Sequence, residues 1–333
     1  MPSVELKEIV TSRGLKYSYR FIPAAPGKPT LLFLHGFPST SYGWRHQIEY
    51  FSGKGYGIIA PNLLGYYPSD QPSDPRAYAG SRQAQDLLDI VEAEKVEGVI
   101  AVGHDWGAMP VSYLAVLYEQ RFLGFAFLAG GLSLGRGFDL DAALPVLKEE
   151  YGTEIIGYWK FFDKDGSETS IENNVDSFME LLFPEDPALW KTDLNDVGAI
   201  DAWLAQGKRA PRAHYLTDED YDHMRATFLA KGMAGLLNWY KVVSRGLQGS
   251  DGLDLPADKV KITKPALYLG GQKDYACIPE WTLKLENMDK VCKNLHVKTF
   301  DCGHWMQHEI PGQISDALEE WMISNGIATL TSK

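Results

Sequence analysis

Apolar and polar positions divide the chain into three stretches of different rhythm. Residues 4–10 and 15–22 are rich in β-forming side chains and are separated by Thr11-Ser12-Arg13-Gly14, a turn composition, so they predict an antiparallel hairpin at a sheet edge. The continuous apolar run at 30–34, bounded by His35-Gly36, has the pattern of a strand buried on both faces. Alternation follows, with a helix over 41–52, a strand at 56–60, a helix over 82–95, a strand at 98–102, a helix over 108–119 and a strand at 125–129. Strands and helices at this spacing imply right-handed βαβ units, hence an α/β fold whose mostly parallel sheet carries helices on both faces.

The rhythm changes after Gly130-Gly131. From about 134 to 254 the pattern is helical only, in segments such as ALPVLKEEYG, SFMELLF, TDEDYDHMRATFLAKG and GLLNWYKVV, joined by polar and Pro-bearing stretches. Strand patterns resume at 265–270 and 295–300, and an amphipathic helix over 314–323 closes the chain. Residues 1–133 and 255–333 therefore predict one core, interrupted by a helical cap over 134–254.

Composition narrows the function classes. Of the 333 residues, 45% are hydrophobic and 23% charged, enough for a sizeable core and against intrinsic disorder. The net charge of −12, with no basic stripe, argues against nucleic acid and anionic membranes as partners. The opening MPSVELKEIV lacks a secretion pattern, and no apolar stretch reaches the roughly 18 residues of a membrane span. Cys277, Cys292 and Cys302 lack metal-ligand spacing and fit thiols kept reduced. A soluble, cytoplasmic monomer or homodimer is expected.

Chemistry concentrates at strand ends. Gly103-His104-Asp105-Trp106-Gly107 joins a buried strand to a helix through a tight turn, a nucleophile-elbow shape with Asp at the nucleophile position. By itself this turn reads equally well as a helix N-cap. Asp274, in Gly270-Gly271-Gln272-Lys273-Asp274, ends the strand that resumes after the helical stretch, and His304, in Asp301-Cys302-Gly303-His304-Trp305, follows the last strand. Asp105, Asp274 and His304 thus run in the chain order nucleophile, acid, histidine. His35-Gly36-Phe37-Pro38 follows the first central strand, where a loop can donate a backbone N–H to an oxyanion hole.

With HGFPS at 35–39, GHDWG at 103–107, LNWY at 237–240 and DCGHW at 301–305, the chain resembles, over nearly its whole length, an α/β-hydrolase-fold epoxide hydrolase of the soluble type. The resemblance implies that Asp105 opens a small apolar epoxide to an alkyl ester, and that His304, oriented by Asp274, activates water to release a vicinal diol. It assigns Phe37 and Trp106 N–H groups to the oxyanion hole and Tyr158 to the epoxide oxygen. A second cap tyrosine is expected at the position held by Met224, which has no O–H; Tyr221, one turn earlier, or Tyr215 is a candidate substitute. Met224, Tyr240 and Trp305 are expected to line the pocket. His308, i+4 from His304, lacks the carboxylate signature of a metal pair, and no metal or cofactor is expected.

The altered cap keeps three other readings open. A haloalkane dehalogenase would need N–H donors for a departing halide; Phe37 stands where such enzymes often place Asn, while Trp106 suits either chemistry. A specialised hydrolase or cyclase of a secondary metabolite is the second. The third is a non-catalytic ligand-binding homologue of the same fold.

Overall fold

The computed structural model describes residues 6–134, 138–248, 260–285 and 287–330. Its strands are β1 (Leu6–Val10), β2 (Lys16–Ile22), β3 (Thr30–Leu34), β4 (Gly57–Asn62), β5 (Val99–His104), β6 (Phe122–Leu128), β7 (Ile262–Gly271) and β8 (Cys292–Phe300). They form one sheet in the order β1-β2-β4-β3-β5-β6-β7-β8. The hairpin β1–β2 and the pair β2–β4 are antiparallel, and every later pairing is parallel. β3, β4 and β5 are buried at every residue, which is why they read as unbroken apolar runs rather than as alternating ones.

Two apolar layers cover the sheet. Phe33, Trp44, Phe51, Ile314 and Trp321 pack one face through the helices Arg45–Gly53 and Pro311–Ser324. The opposite face is packed by the helices Gly80–Ala93 and Ala108–Leu117 and joins the core of the helical segment. Among the described residues between β6 and β7 there are helices and one isolated bridge, Pro184 to Arg212, but no strand. Short helices there, Trp159–Asp163 and Ser167–Asn173, were not legible because fewer than two turns carry no measurable period. The helix Pro279–Leu285 escaped for the same reason. The expected cap boundary at 254/255 lies outside the described residues. Among the described residues, no helix is long and apolar enough to cross a membrane.

The helical segment is fastened to the sheet layer by polar side chains. Arg45, 8% exposed, donates to Asp220 Oδ2 at 2.9 Å and to His308 Nδ1 at 2.9 Å, while Tyr42 Oη donates to Asp220 Oδ1 at 2.8 Å. Asp220 also closes the capping box of the helix Asp218–Ala230 with Thr217. Trp239 Nε1 donates to the Leu64 carbonyl and Asn195 Nδ2 to the Tyr275 carbonyl, both at 2.8 Å. His308, offered by the sequence only as an unconvincing metal partner, is thus a neutral acceptor for Arg45; burial first, and Arg45 next, push its pKa well down.

Candidate active site

β3 and β5 are neighbours, and the chain leaves them toward opposite edges of the sheet, so their C-terminal ends flank the crevice where open α/β sheets bind ligands. Asp105 stands there with φ +51°, a left-handed backbone that a non-glycine residue adopts only when its surroundings enforce it. Close packing enforces it: a Cβ on Gly107 would collide with the Leu34 and His35 carbonyls, and one on Gly36 with the Asp105 side chain. The loop after β3 is in turn held by His35, whose Nδ1 donates to the Gly36 carbonyl at 3.0 Å and whose Nε2 accepts from Leu63 N–H at 2.9 Å. Burial keeps His35 neutral, its pKa lowered to about 4.

This loop aims Phe37 N–H at Asp105 Oδ1, 2.8 Å away. The N–H of Trp106 bears on the same carboxyl group. Burial nevertheless raises the Asp105 pKa, with His304 and the two N–H groups pulling the other way. On the far side of Asp105, His304 Nε2 lies 3.8 Å from Oδ2. His304 Nδ1 donates to Asp274 Oδ2 at 2.7 Å, and Asp274 Oδ1 accepts from the N–H groups of Ala276 (3.0 Å) and Cys277 (2.8 Å). Burial opposes charge on both partners, but their attraction outweighs it: Asp274 is lowered and His304 raised. The structure thus brings together the three residues that the sequence separates by 169 and 30 positions.

The fully buried ring of His104 lies between Trp44, Trp305 and His304. Its Nε2–H donates to the His304 carbonyl at 3.0 Å, and burial lowers its pKa to about 3, so it fixes the His304 backbone as a neutral ring. Asp274, Cys277 and His304 offer ligand atoms within 4.8 Å of one another. Both Asp274 oxygens are already hydrogen-bonded, and burial pushes the Cys277 thiol well up, which leaves this trio a poor donor set for a cation.

A cavity of about 70 Å³ opens above Asp105 and Trp106, walled by Met109, Ile156, Tyr158, Trp159, Cys277 and Trp281. Tyr158 is there as expected, its phenol pKa raised by burial first and then by Cys277 and Asp105. Tyr240 stands beside it, ring centroids 6.1 Å apart, with its own ring edge-on to Phe37 at 5.1 Å and Trp106 at 4.9 Å. Its pKa is also raised, by burial, then Tyr158, then Asp105.

Other expectations for the pocket are corrected. Tyr221 Oη donates to Asp176 at 3.0 Å, and Arg212 sits over its ring, because this face of the helix Asp218–Ala230 meets the helix Val175–Leu182 rather than the cavity. Met224 is buried but does not line the Asp105 cavity, and Tyr240, also expected in its wall, packs against Trp106 and Tyr158 without lining it, because its ring is covered by theirs. Trp305 stacks on Phe183 at 4.4 Å and donates to the Leu182 carbonyl, placing it behind His304 rather than over Asp105. Tyr215 lies on that same far side, parallel to His308 at 6.4 Å. Trp159, Cys277 and Trp281 went unnoticed as pocket residues; their adjacency to Tyr158 and Asp274 in sequence was the one available signal.

The chain is similar to known proteins over most of its length. A family model described as alpha/beta hydrolase fold matches residues 29–311. The chain is 27% identical to epoxide hydrolase A of Mycobacterium tuberculosis, covering 95% of this chain and 97% of that one. It is 25% identical to the rat bifunctional epoxide hydrolase 2 over 88% of its length, yet spans only about half (51%) of that longer protein. Among solved structures, epoxide hydrolase A of Mycobacterium thermoresistibile superposes with a TM-score of 0.75 at 27% identity, covering 96% of this chain and 98% of that one. An epoxide hydrolase from an endophytic Streptomyces reaches 0.81 at 24% identity, a likeness of fold, with 97% of this chain and 96% of that one covered.

Proposed function

The chain belongs to the alpha/beta hydrolase fold family, and from that premise we propose that it hydrolyses small apolar epoxides to vicinal diols through an ester on Asp105. One observation carries this reading. A buried carboxylate, held at one oxygen by the Phe37 N–H, presents its other oxygen beside an imidazole that is itself paired with Asp274. Carboxylate attack on an acyl carbon would give an anhydride, whereas attack on a saturated carbon gives an ester that water can hydrolyse.

In the first step Asp105 Oδ2 bonds to an epoxide carbon, the C–O bond of the ring breaks, and the released oxygen takes a proton from a phenol. Tyr158 is one donor. Tyr240, which faces Tyr158 and bears on the same carboxylate, supports a second phenol in place of Tyr221. In the second step His304 Nε2 takes a proton from water as the water oxygen attacks the Asp105 carboxyl carbon. The oxyanion forms where the N–H groups of Phe37 and Trp106 converge. Collapse breaks the ester bond, the imidazolium gives its proton to the departing diol, and the proton left on the Asp105 carboxyl returns to the phenolate, so one water is consumed per epoxide and the starting protonation states are restored. The helices between β6 and β7 act as the cap that closes the apolar cavity.

A second reading has one observation in its favour. The indoles of Trp106 and Trp159, ring centroids 5.1 Å apart, both wall the cavity, so a departing halide would find two indole N–H groups beside it, which here bear on the Tyr240 and Tyr158 phenols. The test is a panel of epoxides and haloalkanes, with diol and halide measured separately. A single turnover in heavy-oxygen water, followed by peptide mass analysis, labels Asp105 if the ester forms. Tyr158→Phe and Tyr240→Phe are each expected to slow ring opening at least about tenfold if both phenols donate. Halide release without diol formation favours the second reading, and an Asp105 left unlabelled despite turnover refutes the ester mechanism.

A further inference from the structure

Asp105 and His304 border different cavities. Asp105 borders the apolar one of about 70 Å³, in whose wall His304 takes no part. His304 borders a second one of about 30 Å³ on its far side, which Asp105 does not reach. The second cavity is the more polar of the two: Glu185, His214, Tyr215 and Glu309 line it together with Trp190 and the Gly303–Trp305 turn. Its outer end is formed by the His214 and Glu185 side chains, 69% and 48% exposed and 3.2 Å apart. A water needs roughly 10–15 Å³ of such space and two to four polar partners, so this cavity holds about two.

We infer that the hydrolytic water reaches His304 through this polar cavity, while the substrate enters through the apolar one. The inference rests on the ester mechanism proposed above. Once the ester has formed, its alkyl group fills the apolar cavity, and walls such as Ala108, Met109 and Ile156 offer passing water no hydrogen bonds. The polar side offers carboxylates and a phenol as far as His304. His304 Nε2, 3.8 Å from Asp105 Oδ2, is beyond hydrogen-bond length and so is free to accept a proton from water. Glu309 Oε2, which accepts from Gly303 N–H at 2.9 Å, holds the turn that forms the inner end of the route. The two steps are thereby supplied from opposite sides of one histidine.

Gly303 provides the test, because a Cβ there would project into the polar cavity, 3.3 Å from Glu309 Oε2 and 3.6 Å from Pro187 Cβ. Gly303→Ala and the bulkier Gly303→Val are compared with the parent protein by rapid quench and mass analysis of the Asp105 peptide, which separates ester formation from ester hydrolysis. In Gly303→Val, hydrolysis is expected to fall at least about tenfold, with ester formation changed by less than about twofold and the pH midpoint of hydrolysis unmoved; Gly303→Ala falls between. A smaller fall in Gly303→Val overturns the water route. So does a parallel loss of ester formation, or a shifted midpoint, since either reports a displaced His304 rather than a starved one. If the parent protein forms no Asp105 ester with any epoxide, the mechanism itself fails, an outcome distinct from hydrolysis that proceeds undiminished past the plug.

Discussion

Replacing Arg45 by Met removes the positive charge from a site shared by the sheet layer and the helical segment. Arg45 is 8% and Asp220 4% exposed, and their contact is 2.9 Å. At an effective dielectric near 20 their attraction is roughly 6 kcal/mol, much of it offset by the cost of burying both ions. Losing Arg45 leaves Asp220 buried and short of its countercharge, with the Tyr42 and Thr217 hydroxyls and the Thr217 N–H as remaining donors. The expected cost is about 3–5 kcal/mol. With an unfolding entropy of about 2.1 cal/mol/K per residue over 333 residues, that is a drop in Tm of about 4–7 °C. Differential scanning calorimetry measures it, and urea unfolding at constant m-value checks that the native state is otherwise unchanged. Arg45→Met combined with Asp220→Leu removes both charges and is expected to recover part of the loss. If the double variant is no more stable than Arg45→Met, the penalty does not come from a stranded carboxylate, and the reasoning is refuted.

Four further outcomes are expected. His304→Gln keeps ring opening but removes the base, so the Asp105 ester accumulates and its hydrolysis slows by about 10²–10⁴, seen by peptide mass after rapid quench. Ester hydrolysis needs neutral His304, whose pKa is raised above its usual 6.5 because Asp274 and Asp105 outweigh burial, so its rate rises with pH through that raised value and is lost below it, as a stopped-flow pH series shows. The same pairing lowers the Asp274 pKa, so its contribution to stability is present above the unfolded carboxyl range and fades as acid titrates the folded group, which shows in Tm against pH. Gly36→Ala places a methyl against the Asp105 side chain and the His104 carbonyl, and is expected to cut ester formation at least about a hundredfold while the fold, followed by circular dichroism, survives.

Of the elements, the long central ones were legible. β3 was expected at its observed bounds, and β4 and β5 were placed within two residues, because strands buried on both faces are unbroken apolar runs between Gly and Pro punctuation. β8 is longer than its sequence signal, extending back to Cys292, since edge pairing with β7 imposes strand geometry on residues such as Lys293 and Asn294 that carry no strand signal. Asp105, Asp274 and His304 were legible because each ends a strand, and strand ends converge in a parallel sheet.

The α/β alternation, the helical stretch after β6 and the candidate residues at the strand ends follow from the chain alone, since these depend on local period and on short turns whose glycines admit no Cβ. Which aromatic residues gather around Asp105 depended on tertiary packing. Tyr221 and Tyr240 look equally available along the chain, yet one is turned to Asp176 and the other packs against Phe37, Trp106 and Tyr158. A helix fixes the angular spacing of its side chains, but which neighbour each side chain meets depends on how that helix docks, and docking is settled by contacts such as Asp220 with Arg45 that lie far apart in the chain.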